Sequence, residues 1–268
     1  MMAENSSFHL SAVKSPNVAE VRPNKQVTDN ELLYRFLAQD SSRQTSSLRM
    51  VRSLLREIHR NVNSCPLTVL DFGCGTGQSF EVLSGEGVPI NWVGIDLLMS
   101  PEVNARKVGV GQLLAFDGRQ VPIHNNCVDI VYSHQVFEHV RNPVAVLAEI
   151  ERILKPGGVF VGSTSHLEPY HSRSLFNYTP YGFAKLLEDS GFFDISLRVG
   201  IDGITLIIRR LIGFLKFRIL NWAFEYESPL NAAFELLGWF FNWEIKRRLA
   251  IKLLFSGHFV FSARKEDV

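Results

Sequence analysis

The sequence predicts an α/β protein built on a doubly wound, mostly parallel seven-stranded sheet, with helices on both faces and a helical insert before the last strand. Three observations predict it. Short apolar runs at Val69–Phe72, Trp92–Ile95, Leu113–Phe116, Val128–Tyr132 and Val159–Gly162 alternate with helical or turn-rich stretches, the pattern of βαβ units around a parallel sheet. The first run carries Asp71 and passes straight into Gly73, Gly75 and Gly77, a strand-to-helix turn of the kind that binds nucleotides. Two further strand-like runs, Ile195–Val199 and Phe259–Ala263, are separated by a long aromatic, basic, helix-like stretch from Gly203 to Ser256.

Taken in order, residues 1–29 are polar, rich in Ser and Asn and without period, which predicts a flexible N-terminal tail. This start has neither an early basic cluster nor an apolar core, so it does not read as a secretory signal, and the expected location is cytoplasmic. From Asn30 to Asn61 the residues Leu48, Val51, Leu54, Leu55, Ile58 and, just beyond, Val62 recur at three and four, predicting an amphipathic helix that leads into the core. The α/β core spans residues 30–202, the insert occupies 203–256, and residues 257–268 supply the last strand and the C-terminus.

Composition bounds the function. An apolar content of 46% over 268 residues supports a sizeable core, and a net charge of +1 shows no nucleic-acid footprint. Three cysteines, Cys65, Cys74 and Cys127, form no C-x-x-C pair and have no histidine at zinc spacing, so the expectation is no metal.

The spacing of the glycines excludes a dinucleotide fingerprint, which needs G-x-G-x-x-G; here position 78 is Gln. The stretch VLDFGCGTG at 69–77 instead resembles the first motif of class I S-adenosylmethionine-dependent methyltransferases. Asp96 closes the second strand in WVGID, where a carboxylate is able to accept from both hydroxyls of a ribose. Asp117 and Gly118 close the third and open FDGRQVPIHNNCVDIVYSHQVFEHV, which resembles the corresponding stretch of the type 11 methyltransferase group, with Val121-Pro122-Ile123 in place of the usual LPF. LKPGG at Leu154–Gly158 precedes the fifth strand as it does in that family. The resemblance covers Val69 to Phe192. It implies a Rossmann-like fold with S-adenosyl-L-methionine as cofactor, Asp71 and the glycines facing its methionine end, Asp96 its ribose, Asp117 and Gly118 its adenine, and His134 beside it. Glu138-His139 matches the family's EH pair and is read as structural.

Methyl transfer to a hydroxyl profits from a general base. Residues Thr164–Phe183, after the fifth strand, offer His166, Glu168, Tyr170, His171 and Tyr178. His171, with His166 second, is the candidate base, and Tyr170 and Tyr178 are candidates to hold an acceptor beside it. The tripeptide Glu168-Pro169-Tyr170 has the wrong place and only one proline for a nucleobase amino-methyltransferase motif, so oxygen is the expected acceptor atom, on a small or lipid/glycan-linked molecule. The insert combines Trp222, Trp239, Phe240, Phe241 and Trp243 with Arg209, Arg210, Lys246, Arg247 and Arg248. It reads either as a substrate lid or homodimer surface, or as a peripheral membrane contact. A catalytically lapsed cofactor-binding module that serves a partner is the second function class, and the retained glycines, Asp96 and Asp117 argue for catalysis.

Overall fold

A computed structural model describes residues 29–40, 43–61, 66–98, 101–106, 111–214 and 228–267. The expected tail, except Asp29, lies outside these residues, as do Val62 and Trp222.

The elements run α1 (Asp29–Tyr34), α2 (Ser47–Asn61), β1 (Leu67–Phe72), α3 (Gln78–Ser84), β2 (Ile90–Leu97), α4 (Pro101–Asn104), β3 (Gln112–Phe116) and β4 (Val128–His134). A 3-10 turn at Phe137–His139 leads to α5 (Pro143–Ile153), β5 (Leu154–Ser165), α6 (Pro180–Asp189), β6 (Phe192–Val199), α7 (Gly203–Phe214), α8 (Pro229–Phe240), α9 (Ile245–Leu254) and β7 (His258–Lys265). The sheet has seven strands in the order β3-β2-β1-β4-β5-β7-β6. Its first five are parallel, and β7 is antiparallel to both β5 and β6.

Each expected strand is present, with longer bounds, because alternate residues feed two separate cores. Leu70, Phe72, Val131 and Phe160 enter one cluster, with Leu147, Phe183 and Leu253 from the covering helices. Leu67, Val69, Ile130, Tyr132 and Val161 enter the other, which Val51, Leu55 and Leu83 complete. Strands buried on both faces read as near-continuous apolar runs, which is why they are visible in sequence.

The single helix expected over Asn30–Asn61 is instead two helices with an extended link. In that link Leu197 N donates to Phe36 O at 2.7 Å, Ala38 N donates to Leu197 O at 3.1 Å and Thr45 N donates to Val199 O at 2.8 Å. The link thus covers the open side of the edge strand β6, whose exposed backbone groups outcompete helix formation locally. The apolar period begins only at Leu48, inside α2.

The insert forms α7, α8 and α9. Its ends meet in a collar: Gly203 N donates to Phe255 O at 2.8 Å, Gly257 N donates to Ile201 O at 2.7 Å, and Asp202 bridges Ser256. Arg210 and Arg248, expected among the outward-facing cations, turn inward. Arg248 pairs with Glu235 at 2.8 Å beside the fully buried Lys252, which pairs with the same carboxylate at 2.7 Å. Arg210 pairs with Glu168 of the loop after β5. Unpaired buried charges such as those of Glu168 and Lys252 are costly, so these ion pairs serve the interior. No helix among the described residues is long and apolar enough to cross a membrane.

Candidate active site

β1, β2, β4 and β5 end along one edge of the sheet, and the sequence-predicted residues collect there in two groups. In the first group, Gly73, Gly75 and Gly77 all adopt left-handed backbone, with φ of 75°, 52° and 81°. A Cβ on Gly73 would collide with Val136, whereas one on Gly75 would meet nothing nearer than Glu102 Cβ at 3.6 Å. Gly73 therefore serves internal packing, and Gly75 leaves an open backbone face. Gly73 N and Cys74 N both donate to Ile95 O, at 2.8 and 3.1 Å, tying the turn to the end of β2.

Asp96 completes this tie. Its Oδ2 accepts from Gly75 N at 2.7 Å and its Oδ1 from Leu97 N at 2.7 Å. Arg106 steadies the same turn, donating to Gly75 O at 2.7 Å with its guanidinium 4.0 Å from Asp96. Each carboxylate oxygen keeps a lone pair for a further donor. Asp71 is buried beneath, bonded to Ser79, whose hydroxyl also accepts from Trp92 Nε1 at 3.1 Å. Burial pushes the Asp71 carboxyl up to about 7, against the Ser79 hydrogen bond and with some help from the negative charge of Asp96.

Asp117 and Gly118 lie one strand further out, after β3. The Asp117 carboxylate is exposed and accepts from Arg119 N at 2.8 Å and Gln120 N at 3.1 Å, which holds it below the usual carboxylate range. It therefore shapes its own turn, with Gly118 at φ 83°. This turn borders a cavity of about 450 Å³ lined by Ala115, Asp117 and residues 120–124.

The second group centres on Glu138, which is fully buried in the 3-10 turn after β4. Its carboxylate accepts from Thr164 Oγ1 at 3.1 Å and lies 3.2 Å from Ser165 Oγ, and burial raises its pKa in spite of these contacts. His171 Nε2 faces Glu138 at 3.8 Å, and its Nδ1 faces Glu168 at 3.7 Å and the Pro169 carbonyl at 3.2 Å. Glu168 in turn accepts from Ser165 Oγ at 2.8 Å and from Arg210. Gln135, at a left-handed φ of 54°, lies between the two acids. With its amide oriented to satisfy its neighbours, the nitrogen donates to Glu138 Oε1 at 2.8 Å and Glu168 Oε2 at 3.0 Å. A bulky residue held in that conformation is strained, which the network repays.

His134, at the end of β4, extends the chain of polar groups: its Nδ1 lies 2.9 Å from Ser47 Oγ and 2.8 Å from Ser163 Oγ. Desolvation by these neighbours holds its imidazole below the ordinary value, opposed by the pull of Glu168. His166 does not join His171. Its backbone N donates to Gly257 O at 2.7 Å in the insert's collar, and burial lowers its pKa. Tyr178, expected at the acceptor, is instead packed against Phe183, with its hydroxyl donating to Phe137 O at 3.3 Å. Tyr170 is 75% exposed.

Glu138, Gln135 and Arg210 are the functional candidates that sequence reasoning missed, whereas Glu168 is among the polar groups it names after the fifth strand. The EH pair was the available signal for the first. Glu138, His139 and His171 also place ligand atoms within 4.8 Å of one another, and a buried Nδ1 of His139 has no hydrogen-bond partner. The cluster contains no cysteine and His171 is far in sequence from Glu138 and His139, so cysteine spacing says nothing of it and only the fold assembles it.

Residues 70–162 match the model of the methyltransferase domain family. A protein of Mycolicibacterium smegmatis named a probable S-adenosylmethionine-dependent methyltransferase is 29% identical over 135 residues, 46% of this chain and 51% of its own length. The ubiquinone biosynthesis O-methyltransferase of Nitrosococcus oceani is 30% identical over 156 residues, 56% of this chain and 64% of its own. The chain thus spans about half to two thirds of the length of these curated relatives. Among solved structures, the CurJ carbon methyltransferase aligns with a TM-score of 0.53 at 11% identity, over 82% of this chain and 54% of that one, a likeness of fold. Sheet order, a left-handed glycine turn after β1 and the family match agree: residues 70–162 carry a methyltransferase domain of the class I S-adenosylmethionine-dependent type.

Proposed function

We propose that the protein transfers a methyl group from S-adenosyl-L-methionine to an oxygen atom of a small or lipid/glycan-linked acceptor. The observation that carries this reading is the juxtaposition, along one sheet edge, of the glycine turn locked to Asp96 and the buried array of Glu138, His171 and Glu168. The open face at Gly75, the free lone pairs of Asp96 and the buried Asp71 suit a cofactor with a ribose and a cationic amino-acid end. In this reading Gly73, Gly75, Gly77 and Asp71 hold the methionine end, Asp96 the ribose and the loop of Asp117 and Gly118 the adenine. When bound, the cofactor supplies an activated methyl on a sulfonium.

The chain's own work is then to orient the acceptor, exclude water and take a proton. With Nδ1–H donating to the Pro169 carbonyl, the Nε2 lone pair of His171 is free to accept the hydroxyl proton. The imidazolium so formed lies between two carboxylates, each within 4 Å of a ring nitrogen. The name of the Nitrosococcus oceani relative supports oxygen as the acceptor atom.

Incubation with labelled cofactor and fractionated cell extract tests the reading, with two variants as controls. His171→Ala is expected to lower turnover by about 10²–10⁴ with cofactor affinity intact. Asp96→Ala is expected to weaken cofactor binding by about 1.5–3 kcal/mol in calorimetric titration. Cofactor binding without label transfer to any fraction would favour the lapsed binding module instead.

A further inference from the structure

α7 is built inside out. Ile204, Ile207, Ile208 and Leu211 recur at helical spacing and stand 44–59% exposed, whereas Thr205 is buried and Arg210 reaches inward to Glu168. An amphipathic helix normally buries such a stripe. The C-terminal end of α8 behaves likewise, with Leu236, Trp239 and Phe240 exposed by 66%, 76% and 73% and Phe241 following in the turn. Roughly half of the large apolar side chains exposed among the described residues sit on α7–α9 and their turns, a concentration that scattered surface exposure does not produce.

We infer that this surface docks on a phospholipid bilayer. Three features select that occupant. First, its largest groups are protruding Trp and Phe side chains, which favour the boundary between acyl chains and headgroups. Second, cations border them: the α8–α9 turn places Lys246 and Arg247 immediately after Phe241 and Trp243, with the Arg247 guanidinium 4.7 Å over the Trp243 ring and Glu244 as the acid in the turn. Interfaces between copies of a chain are depleted in lysine and bury their aromatics in flat, complementary patches. Third, the surface is continuous with the proposed acceptor site. Arg210, on α7, donates to the carbonyls of Pro169 and Tyr170 at 3.1 and 3.3 Å, and Leu167 of the same loop lies against Gly203. That loop holds His171 and exposes Leu167, Tyr170, Leu175 and Phe176. The docking surface does not depend on methyl transfer; resting on the proposed function, it narrows the acceptor to a membrane-borne molecule presented at the bilayer surface.

Co-sedimentation of the full chain with vesicles of phosphatidylcholine and phosphatidylglycerol tests the inference. The protein is expected to pellet with the vesicles, with its tryptophan emission shifting to the blue and binding weakening as salt rises. The double variants I207S/I208S and W239S/F240S are each expected to lower the partition coefficient by about tenfold or more, and K246E/R247E to remove the salt dependence. Circular dichroism and cofactor titration on the same variants separate loss of docking from loss of fold. Absence of vesicle binding at low salt overturns the inference. So does a self-association in sedimentation velocity that these variants abolish, since the surface would then be a contact between copies. Cofactor binding is scored in the same preparations, so a failed docking surface and a failed methyltransferase reading give different results.

Discussion

The chemistry of Asp71 is strongly altered by its setting. The native carboxyl, pushed up to about 7, binds a proton that the unfolded chain has already released above about pH 4. Stability contributed by the protonated form is therefore complete at low pH and lost as the pH rises from about 4 to 7. Asp71→Asn is expected to remove that slope, gaining on the wild type by a few kcal/mol, at about 1.4 kcal/mol per pH unit, between urea melts at pH 5 and pH 8. If Asp71 also faces the cationic end of the cofactor, wild-type affinity falls below pH 7 and that of the Asn variant does not; titration calorimetry at two pH values reads this. Asp71 and the glycines were legible in sequence because turn geometry demands their residue types. Glu138 was not. A carboxylate's burial depends on what surrounds it, here Thr164, Ser165 and His171 from beyond β4, and nothing local announces those contacts.

Among the elements, the strands were read correctly and the N-terminal helix was not, for related reasons. A strand buried on both faces writes its burial into every residue, as in Val69–Phe72. The link between α1 and α2 pairs with β6 through backbone groups alone, which leave no mark on side-chain type. α7 carries the same lesson with functional weight: its arginine at 210 reads as a surface cation, yet it clamps the loop of His171 by a carboxylate and two carbonyls. Arg210→Gln is expected to lower kcat by about 10- to 100-fold, the scale for slight misplacement of a reacting group, with cofactor affinity unchanged. Arg210→Lys, which restores the charge without the fork, is expected to recover part of it. A variant that loses stability but keeps full kcat would make the clamp merely structural.

Over the whole molecule, the sheet divides labour. Its β1–β3 half carries the glycine turn, Asp96 and Asp117, while the β4–β5 half and the insert carry the array of Glu138, His171 and Glu168 proposed to handle the proton, and the apolar face. The family resemblance reached the first half in full because close backbone approach constrains sequence tightly. It stopped short of the insert, where the fold asks only for a connection from β6 to β7 and the sequence is free to vary with whatever the protein meets. Beyond the pairing of β1 with β4, the two halves also meet where the strands end. Val136, against which Gly73 packs with no room for a Cβ, lies between Gln135 and the turn that carries Glu138 and His139. A shift of the glycine turn on filling is expected to pass through Val136 to Gln135, Glu138 and His139, giving the two ligands a coupling free energy by which each strengthens or weakens the other by the same factor. Titrating the demethylated cofactor with and without acceptor, in the wild type and in Val136→Ala, measures that factor. It is expected to fall toward unity when the contact is trimmed, so that filling one site no longer alters the occupancy of the other.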